Sequence, residues 1–290
     1  MKQALKRLFE NKLATFCAIV LVIEFIILFL APFIAPFDVE LTHPQYKLSP
    51  GFWATFSSNP DVASSYVEGF YLGTDYLGRD ILSRLLMGGR VSIMVGIVST
   101  FIGLTFGILF GLLAGYYKKL DNIIMRFMDL LFTFPGVLLA MLIISVLGRS
   151  TLNAMIAISI WSIPSFARMI RGKVLQIKQE EYILSAKTLG AKDSRIMFNH
   201  ILPNAMPIII VIATMRMASS IISISTLSYL GMGVPAPAPE WGGMIATAKN
   251  YMWEQPSLII IPGLAVMITV ICFNIVGDKL RDILDPSLKN

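Results

Sequence analysis

The residues that could do chemistry in this 290-residue chain are few and widely separated. Its two histidines, His43 and His200, lie in different segments, and no HExxH, GxSxG or GxxxxGK[ST] motif is present. Cys17 and Cys272 both fall inside apolar runs, which predicts buried thiols and not a disulfide or a metal site. The sequence therefore predicts no catalytic group, no metal site and no cofactor bound by this chain.

One apolar run carries an unusual polar face. An arginine in mid-membrane costs about 2.5–3.5 kcal/mol on insertion scales, so it should face protein or water. The structural interpretation is a pairing with Glu24, with Asp129 or with carbonyls of a kinked helix; the functional one is a hydrated translocation path that could meet a substrate carboxylate. The polar residues recur at i, i+3, i+4 and i+7 of one helix: Arg216, Ser219, Ser220 and Ser223.

A polar segment, residues 179–204, carries a second candidate site. It predicts a short helix that ends at Gly190, a favourable C′ residue, followed by a second helix capped by Asp193. Apolar surface on such a segment favours contact with a partner protein, although packing on the chain's own helix ends is the alternative. The apolar positions are Tyr182, Ile183, Ala186 and Leu189.

The composition identifies the environment of these residues. Apolar residues make up 56% and charged residues 14%, against about 45–50% and about 25% in soluble domains, and the mean hydropathy is +0.72. The net charge is +6, but the basic residues cluster between long apolar runs and form no solvated face for nucleic acid. The chain is predicted to be an all-α integral membrane protein that contacts lipid and not nucleic acid.

Six transmembrane helices are predicted, each near the 20 residues that cross a bilayer. A small residue recurs at every fourth position from Ser99 to Gly115, which favours close packing of another helix, whether static or sliding. Pro135-Gly136 and Pro164 should interrupt their helices. The spans are Leu13 to Phe37, Val91 to Tyr117, the stretches between Asp129 and Arg149 and between Arg149 and Arg168, Met206 to Leu230, and Ser257 to Gly277.

Positive charge predicts the orientation. With the N-terminus inside, seventeen lysines and arginines lie on the inner side and six outside, so both termini are predicted to be cytoplasmic. The apolar N-terminal stretch is longer than the core of a cleaved signal peptide. The predicted organisation is a cytoplasmic N-terminus and first transmembrane helix (1–37), an extracytoplasmic loop (38–90) and a core with five further helices (91–290).

The segment at 179–204 resembles the EAA motif of ABC importer permeases, which forms the coupling helix. Ser185-Ala186, Gly190 and Leu202-Pro203 fall in register with the motif positions. The residue type differs at three positions: Leu184 stands for Glu, Ser185 for the first Ala and His200 for Ile. The ending from His200 to Asn204 is similar to the version in peptide permeases.

Further stretches resemble the C-type permease subunit of dipeptide, oligopeptide, glutathione and nickel importers. They are residues 72–84, residues 227–243, and the ending with Asp278, Arg281-Asp282 and Asp285-Pro286. Residues 163–172 and 214–216 are most similar to the glutathione-importer subunit.

The resemblance implies a type I ABC importer permease in a bacterial inner membrane. It implies four kinds of partner: a B-type permease, two ATP-binding subunits that hold ATP and magnesium, an extracytoplasmic solute-binding protein, and lipid. Within the coupling loop (171–205), the residues implied to meet the ATPase are Glu181, Tyr182, Ser185, Ala186, Leu189, Gly190, Ala191, Asp193 and Pro203. In the outer loops 37–90 and 231–257, the candidate contacts with the binding protein are Asp75, Arg79, Asp80, Glu240 and Trp241.

Two other classes stay open. An ion-coupled carrier would use Glu24, Asp129 and Arg216 as coupling charges, but it leaves the segment at 179–204 without a role. A membrane enzyme lacks catalytic groups. Within the importer class, the sequence does not distinguish peptide, glutathione, nickel or another small solute.

Overall fold

The protein is a bundle of α-helices, seen in a computed structural model that describes residues 10–284. Asp285-Pro286 of the predicted C-terminal signature lie outside the described residues. Across residues 10–284, β-pairing is limited to one isolated bridge between Thr74 and Asp80, so the all-α fold class is confirmed. The helices are α1 (Lys12–Ile34), α2 (Pro60–Ser64), α3 (Ile81–Tyr116), α4 (Lys118–Phe132), α5 (Gly136–Leu147), α6 (Thr151–Ile177), α7 (Glu181–Thr188), α8 (Asp193–Tyr229), α9 (Trp241–Ala248) and α10 (Ser257–Leu284).

Five helices are long and apolar enough to cross a bilayer: α1, α3, α6, α8 and α10. The sixth predicted span is a bent pair, α4 and α5, whose axes differ by 90°. The predicted interruption at Pro135-Gly136 is confirmed, because Pro135 disfavours helical geometry at Phe134 and ends the first segment. The predicted interruption at Pro164 is wrong, since α6 continues through this residue. Gly136 starts α5 directly against the ring of Trp161, where a Cβ atom would overlap the indole.

The helix α3 begins ten residues earlier than predicted, at Ile81 instead of Val91. Asp80 caps it by accepting a hydrogen bond from the Ser83 amide at 2.7 Å. Its 36 residues correspond to about 54 Å, well beyond a hydrocarbon core of about 30 Å. The first outer loop consequently runs from residue 35 to residue 80 and contains α2 and 3₁₀ turns at Pro44–Tyr46 and Phe52–Phe56.

The centre of the bundle is the contact between α3 and α6. A Cβ atom on Gly111 would lie 2.8 Å from Ile170 Cβ, and one on Gly115 would lie 2.7 Å from Val174 Cβ. Gly103 and Gly107 approach Ser162 and Phe166 in the same way. The predicted small-residue ridge is confirmed as a backbone-to-helix contact, since any side chain there would push the two helices apart.

The bundle has two chemically different ends. The α7 end contains α7 and both described chain ends, because Ala14 of α1 packs near Ile283 of α10. The long-loop end contains residues 35–80 and 230–256. Between them, Cys17 and Cys272 are buried and free, as the sequence predicts.

Candidate functional site

The helix α7 ends in a Schellman motif built on Gly190. The amide of Ala191 donates to the Ala186 carbonyl at 3.1 Å, and the amide of Gly190 donates to the Lys187 carbonyl at 3.0 Å. Gly190 has φ +78°, and open space surrounds its Cα. The predicted C′ role is confirmed, and the requirement for glycine is conformational and not steric.

The two faces of α7 differ sharply in burial. Ile183 is 2% exposed and enters the core cluster that holds Ile196 and Ile201. Leu184 and Leu189 point outward, with 53% and 86% of their surfaces exposed, and Tyr182 is exposed as well. For Ile183 the alternative interpretation, packing on the chain's own helices, is the one observed, because helical geometry turns it about 100° away from Leu184. One face of α7 is thus anchored in the bundle while the other is free.

Two hydrogen bonds tie the coupling loop to the spanning helices. The Asn204 amide donates to Tyr182 Oη at 3.1 Å, and Tyr116 Oη donates to the Asp193 carboxylate at 2.6 Å. Partial desolvation, and secondarily the Glu180 carboxylate, raise the pKa of Tyr182. Asp193 does not cap the second helix as predicted, since Lys192 occupies the N-cap position and the carboxylate is engaged by Tyr116.

A π-helical turn lies near the start of α8. It covers Ile196–Ile201, directly before Leu202-Pro203. Pro203 and Pro207 lack the amide hydrogens that regular helix bonding would need, which favours an irregular turn here. The remaining predicted coupling residues lie around it: Glu181, Ser185 and Pro203 are exposed, whereas Ala186 and Ala191 are half-buried.

The polar face of α8 is divided between two environments. Ser220 is buried and lies 3.2 Å from Thr100 of α3, and Ser223 is buried and donates to its own helix at Ser219. Ser219 is exposed. Arg216 is partly buried and donates through Nη2 to Ser165 of α6. Of these four residues, only Arg216 and Ser219 therefore reach the surface of this chain.

Neither predicted acidic partner of Arg216 contacts it. Glu24 accepts a hydrogen bond from Thr269 of α10, and Asp129 pairs with Arg168 at 2.8 Å. Those pairing predictions are wrong. The three charges that an ion-coupled carrier would share thus have separate hydrogen-bond partners.

The five candidate contacts at the long-loop end prove to be internal. Arg79, Asp80, Glu240 and Trp241 are buried, and the Asp75 side chain is only 14% exposed. Asp75 binds Arg79 at 2.7 Å, and Asp80 caps α3. These five side chains therefore offer little surface to a soluble protein, because the charged ones are bonded within the chain and Trp241 packs in its core. Their contact with the binding protein stays a prediction.

Glu240 and Trp241 fasten the second outer loop to α3. The Glu240 carboxylate caps α9, accepting from the amides of Gly242 and Gly243 at 2.9 and 2.8 Å and from Ser92 Oγ at 3.0 Å. Trp241 Nε1 donates to the Leu85 carbonyl at 2.9 Å. This network positions the loop and presents no charge to solvent.

Sequence reasoning missed the ion pairs between α4 and α6. Arg171 Nη2 contacts Asp121 at 2.7 Å, and the Arg168–Asp129 pair lies further along the same two helices. The spacing of Asp121 and Asp129 on one helix, and of Arg168 and Arg171 on another, is compatible with such pairing. No local rule, however, selects partners 39 and 50 residues apart.

The fold and the anchored short helix define a membrane permease subunit of the importer type, and comparison with known proteins supports this. Residues 103–290 match the family described as binding-protein-dependent transport system inner membrane component, and residues 1–50 match the N-terminal TM domain of oligopeptide transport permease C. A glutathione transport system permease protein GsiD from Pectobacterium atrosepticum is 46% identical over 82% of this chain and 83% of its own length. A dipeptide transport system permease protein DppC from Alkalihalophilus pseudofirmus is 38% identical over 100% of this chain and 90% of its own.

Solved structures show the same fold. A chain of the MetNI methionine ABC transporter in an inward-facing conformation superposes with a TM-score of 0.57 at 18% identity, covering 69% of this chain and 95% of that one. This chain belongs to the binding-protein-dependent transport system inner membrane component family. It is a transmembrane permease subunit of an ABC importer, a family whose members work with a partner permease, ATPases and a binding protein.

Proposed function

We propose that this chain is the C-type permease of a peptide importer and forms half of the translocation path for di- or oligopeptides or glutathione-like peptides. The printed functions of its relatives, glutathione and dipeptide transport, support a peptide substrate. Import of nickel or another small solute by the same mechanism is the alternative.

The proposed assembly contains a paralogous B-type permease, two ATP-binding subunits that bind ATP and magnesium and hydrolyse ATP, and an extracytoplasmic solute-binding protein. This chain binds no cofactor of its own in that arrangement. It lies in a bacterial inner membrane with both termini in the cytoplasm. The excess of basic residues on the α7 side supports this orientation.

The observation that carries the proposal is that one face of α7 is buried in the bundle while the other is exposed. Ile183 fixes the helix in the core that contains α6 and α8, while Leu184 and Leu189 remain exposed. A helix held in this way transmits a push from a partner to the spanning helices, because the packed core deforms little. Glu181, Tyr182 and Ser185 belong to the same proposed docking surface.

The binding protein would dock on the surface of the long-loop end. Because the five predicted residues are largely covered, exposed aromatic side chains join them as candidates. Phe56 and Trp253 are 80% and 90% exposed on the two outer loops. Such large exposed rings are frequent at protein interfaces.

Replacing Gly190 by valine tests whether α7 transmits a push from the ATP-binding subunit. The left-handed backbone there costs a residue with a Cβ about 1–2 kcal/mol, so the end of α7 should rearrange. In proteoliposomes containing the whole importer, we expect ATP hydrolysis to persist and peptide uptake to fall at least about tenfold.

Gly263→Val is the matched control, because Gly263 also has open space around it but lies in α10, outside the coupling loop and without a positive φ. It should leave uptake near the wild-type rate, and both variants should reach the membrane in normal amounts. Normal uptake by Gly190→Val would contradict the proposal.

The alternative class, an ion-coupled carrier, can be tested separately. The separate partners of Glu24, Asp129 and Arg216 do not favour a coupled charge cluster. Uptake that needs an ion gradient and no ATPase would support that class instead.

A further inference from the structure

Arg216 is a cation without an acidic partner. Within residues 10–284, no carboxylate oxygen lies within 4.0 Å of its nitrogens, whereas arginines 79, 84, 168 and 171 all have such a neighbour. Its hydrogen bond to Ser165 Oγ uses one of five N–H donors. The guanidinium is therefore partly buried and oriented by Ser165, and its other N–H groups have no carboxylate acceptor within residues 10–284.

The position of Arg216 places this charge at mid-depth in the bundle. About 20 Å of helix separates Arg216 from the end of α8 at Tyr229, and a similar length separates Ser165 from the start of α6 at Thr151. Both of these helix ends lie at the long-loop end. Because the hydrocarbon core is about 30 Å thick, the pair lies well inside it.

The surface next to this pair is unsuited to lipid. Arg168 lies one turn beyond Ser165 on α6, and its ion pair with Asp129 leaves 52% and 64% of the two side chains exposed. Exposed Ser219 follows Arg216 on α8. An exposed ion pair and an arginine without an acidic partner require water or protein in front of them, so this surface of α6 and α8 does not face the acyl chains. Under the proposed function, the translocation path supplies that water.

The two arginines on this surface differ in one respect. Arg168 is already neutralised by Asp129 and its guanidinium lies over the Phe132 ring at 4.5 Å. Arg216 has only a neutral serine. Of these two arginines, only Arg216 is therefore available to a solute carboxylate, and Ser165 would hold it in place.

We propose that Arg216, positioned by Ser165, is a docking site for the carboxylate of the transported peptide. This rests on the proposed function. The carboxylate would accept two parallel N–H bonds from the guanidinium, the arrangement that makes arginine–carboxylate pairs strong and directional. The resulting substrate class is peptides with a free carboxylate.

The test compares trialanine with trialanine amide, which lacks the terminal charge. Binding of each to the purified permease–ATPase assembly in nanodiscs, without the binding protein, is measured by ligand-observed NMR. Omitting the binding protein removes its own selectivity. We expect the wild type to prefer the acid about tenfold, the size expected for a charge-assisted hydrogen bond.

Arg216→Gln should abolish the preference for the acid while leaving amide binding unchanged. The matched control neutralises the neighbouring ion pair without changing net charge, by combining Arg168→Gln with Asp129→Asn, and it should keep the preference. Arg216→Lys, which keeps the charge and loses the planar fork, should keep part of it. If the role of Arg216 were purely structural, Arg216→Gln would change the affinities for the acid and the amide by the same factor.

Preference for the acid in Arg216→Gln, or no preference in the wild type, overturns the inference. Peptide uptake is measured in parallel with the complete importer in proteoliposomes. If the wild type takes up peptide without preferring the acid, only the docking-site inference is contradicted. If the wild type shows no ATP-dependent peptide uptake, the proposed function itself is contradicted.

Discussion

The two ends of the bundle treat their distinctive residues in opposite ways. At the α7 end, Leu184 and Leu189 are displayed on a short helix held by Ile183 and a few hydrogen bonds. At the long-loop end, Asp80, Glu240 and Trp241 are buried in a polar network that caps helices and joins loops. Both ends carry motifs that resemble those of the family. At the α7 end these residues form an exposed surface, whereas at the long-loop end they stabilise the loop conformation.

The difference teaches that charge alone does not identify a contact. A buried carboxylate is stable when it accepts several hydrogen bonds, and Glu240 accepts three. An exposed leucine on a polar loop has no such internal explanation. The comparison predicts that substitutions at the long-loop end reduce stability, whereas those at the α7 end reduce coupling.

The largest expected effect is that of Glu240→Ala. The substitution leaves the amides of Gly242 and Gly243 and the hydroxyl of Ser92 without their acceptor, and unsatisfied buried groups cost about 1–3 kcal/mol each. We expect the midpoint of thermal unfolding in detergent to fall by several degrees and membrane abundance to drop. Exposed Glu254→Ala in the same loop is the control. An unchanged midpoint in Glu240→Ala would mean that this network is not structural.

A smaller effect is expected for Tyr116→Phe. It removes the hydroxyl that donates to Asp193, and one such bond contributes about 1 kcal/mol. The α7 end should loosen locally, seen as faster amide hydrogen exchange in residues 181–193, with uptake reduced more than ATP hydrolysis. Asp193→Asn, which retains an acceptor, should change exchange less. Exchange that increases equally at the long-loop end would contradict a local role.

The smallest stability effect is expected for the double replacement Leu184→Gln and Leu189→Gln. Both side chains are largely exposed, so the free energy of unfolding should change by less than about 0.5 kcal/mol. Co-purification of the ATP-binding subunits should nevertheless fall markedly, because the apolar docking surface is gone. Full retention of those subunits would remove the distinction between the two ends.

Local rules predicted the parts of the structure that depend on neighbouring residues. The end of α7 at Gly190 was predictable because the C′ position favours a positive φ, which glycine adopts readily. The small-residue ridge of α3 was predictable because small residues recur at every fourth position of the sequence. The bend at Pro135 was predicted only as an interruption, since a 90° turn also depends on Trp161 packing against Gly136. Local rules therefore give the elements more readily than the angles between them.

The site was harder to predict because its pairings join distant segments. Nothing in the residues around Arg216 indicates that Ser165 is its partner, or that Asp129 belongs to Arg168. The start of α3 at Ile81 was not predicted, because the charge of Arg84 argues against a membrane-spanning helix at that position. In the folded chain the Arg84 guanidinium donates a hydrogen bond to the Val39 carbonyl at 2.8 Å. Such compensation appears only once the chain is folded.

The central claim, that the exposed face of α7 is held by an ATP-binding partner, is tested most directly by photo-crosslinking. Serine replaces the two cysteines, and Leu189→Cys or Trp253→Cys then carries a benzophenone maleimide in the assembled importer. The account predicts that the probe at position 189 captures the ATP-binding subunit and that the probe at position 253 does not. Capture of that subunit from position 253, or no capture from position 189, would contradict it.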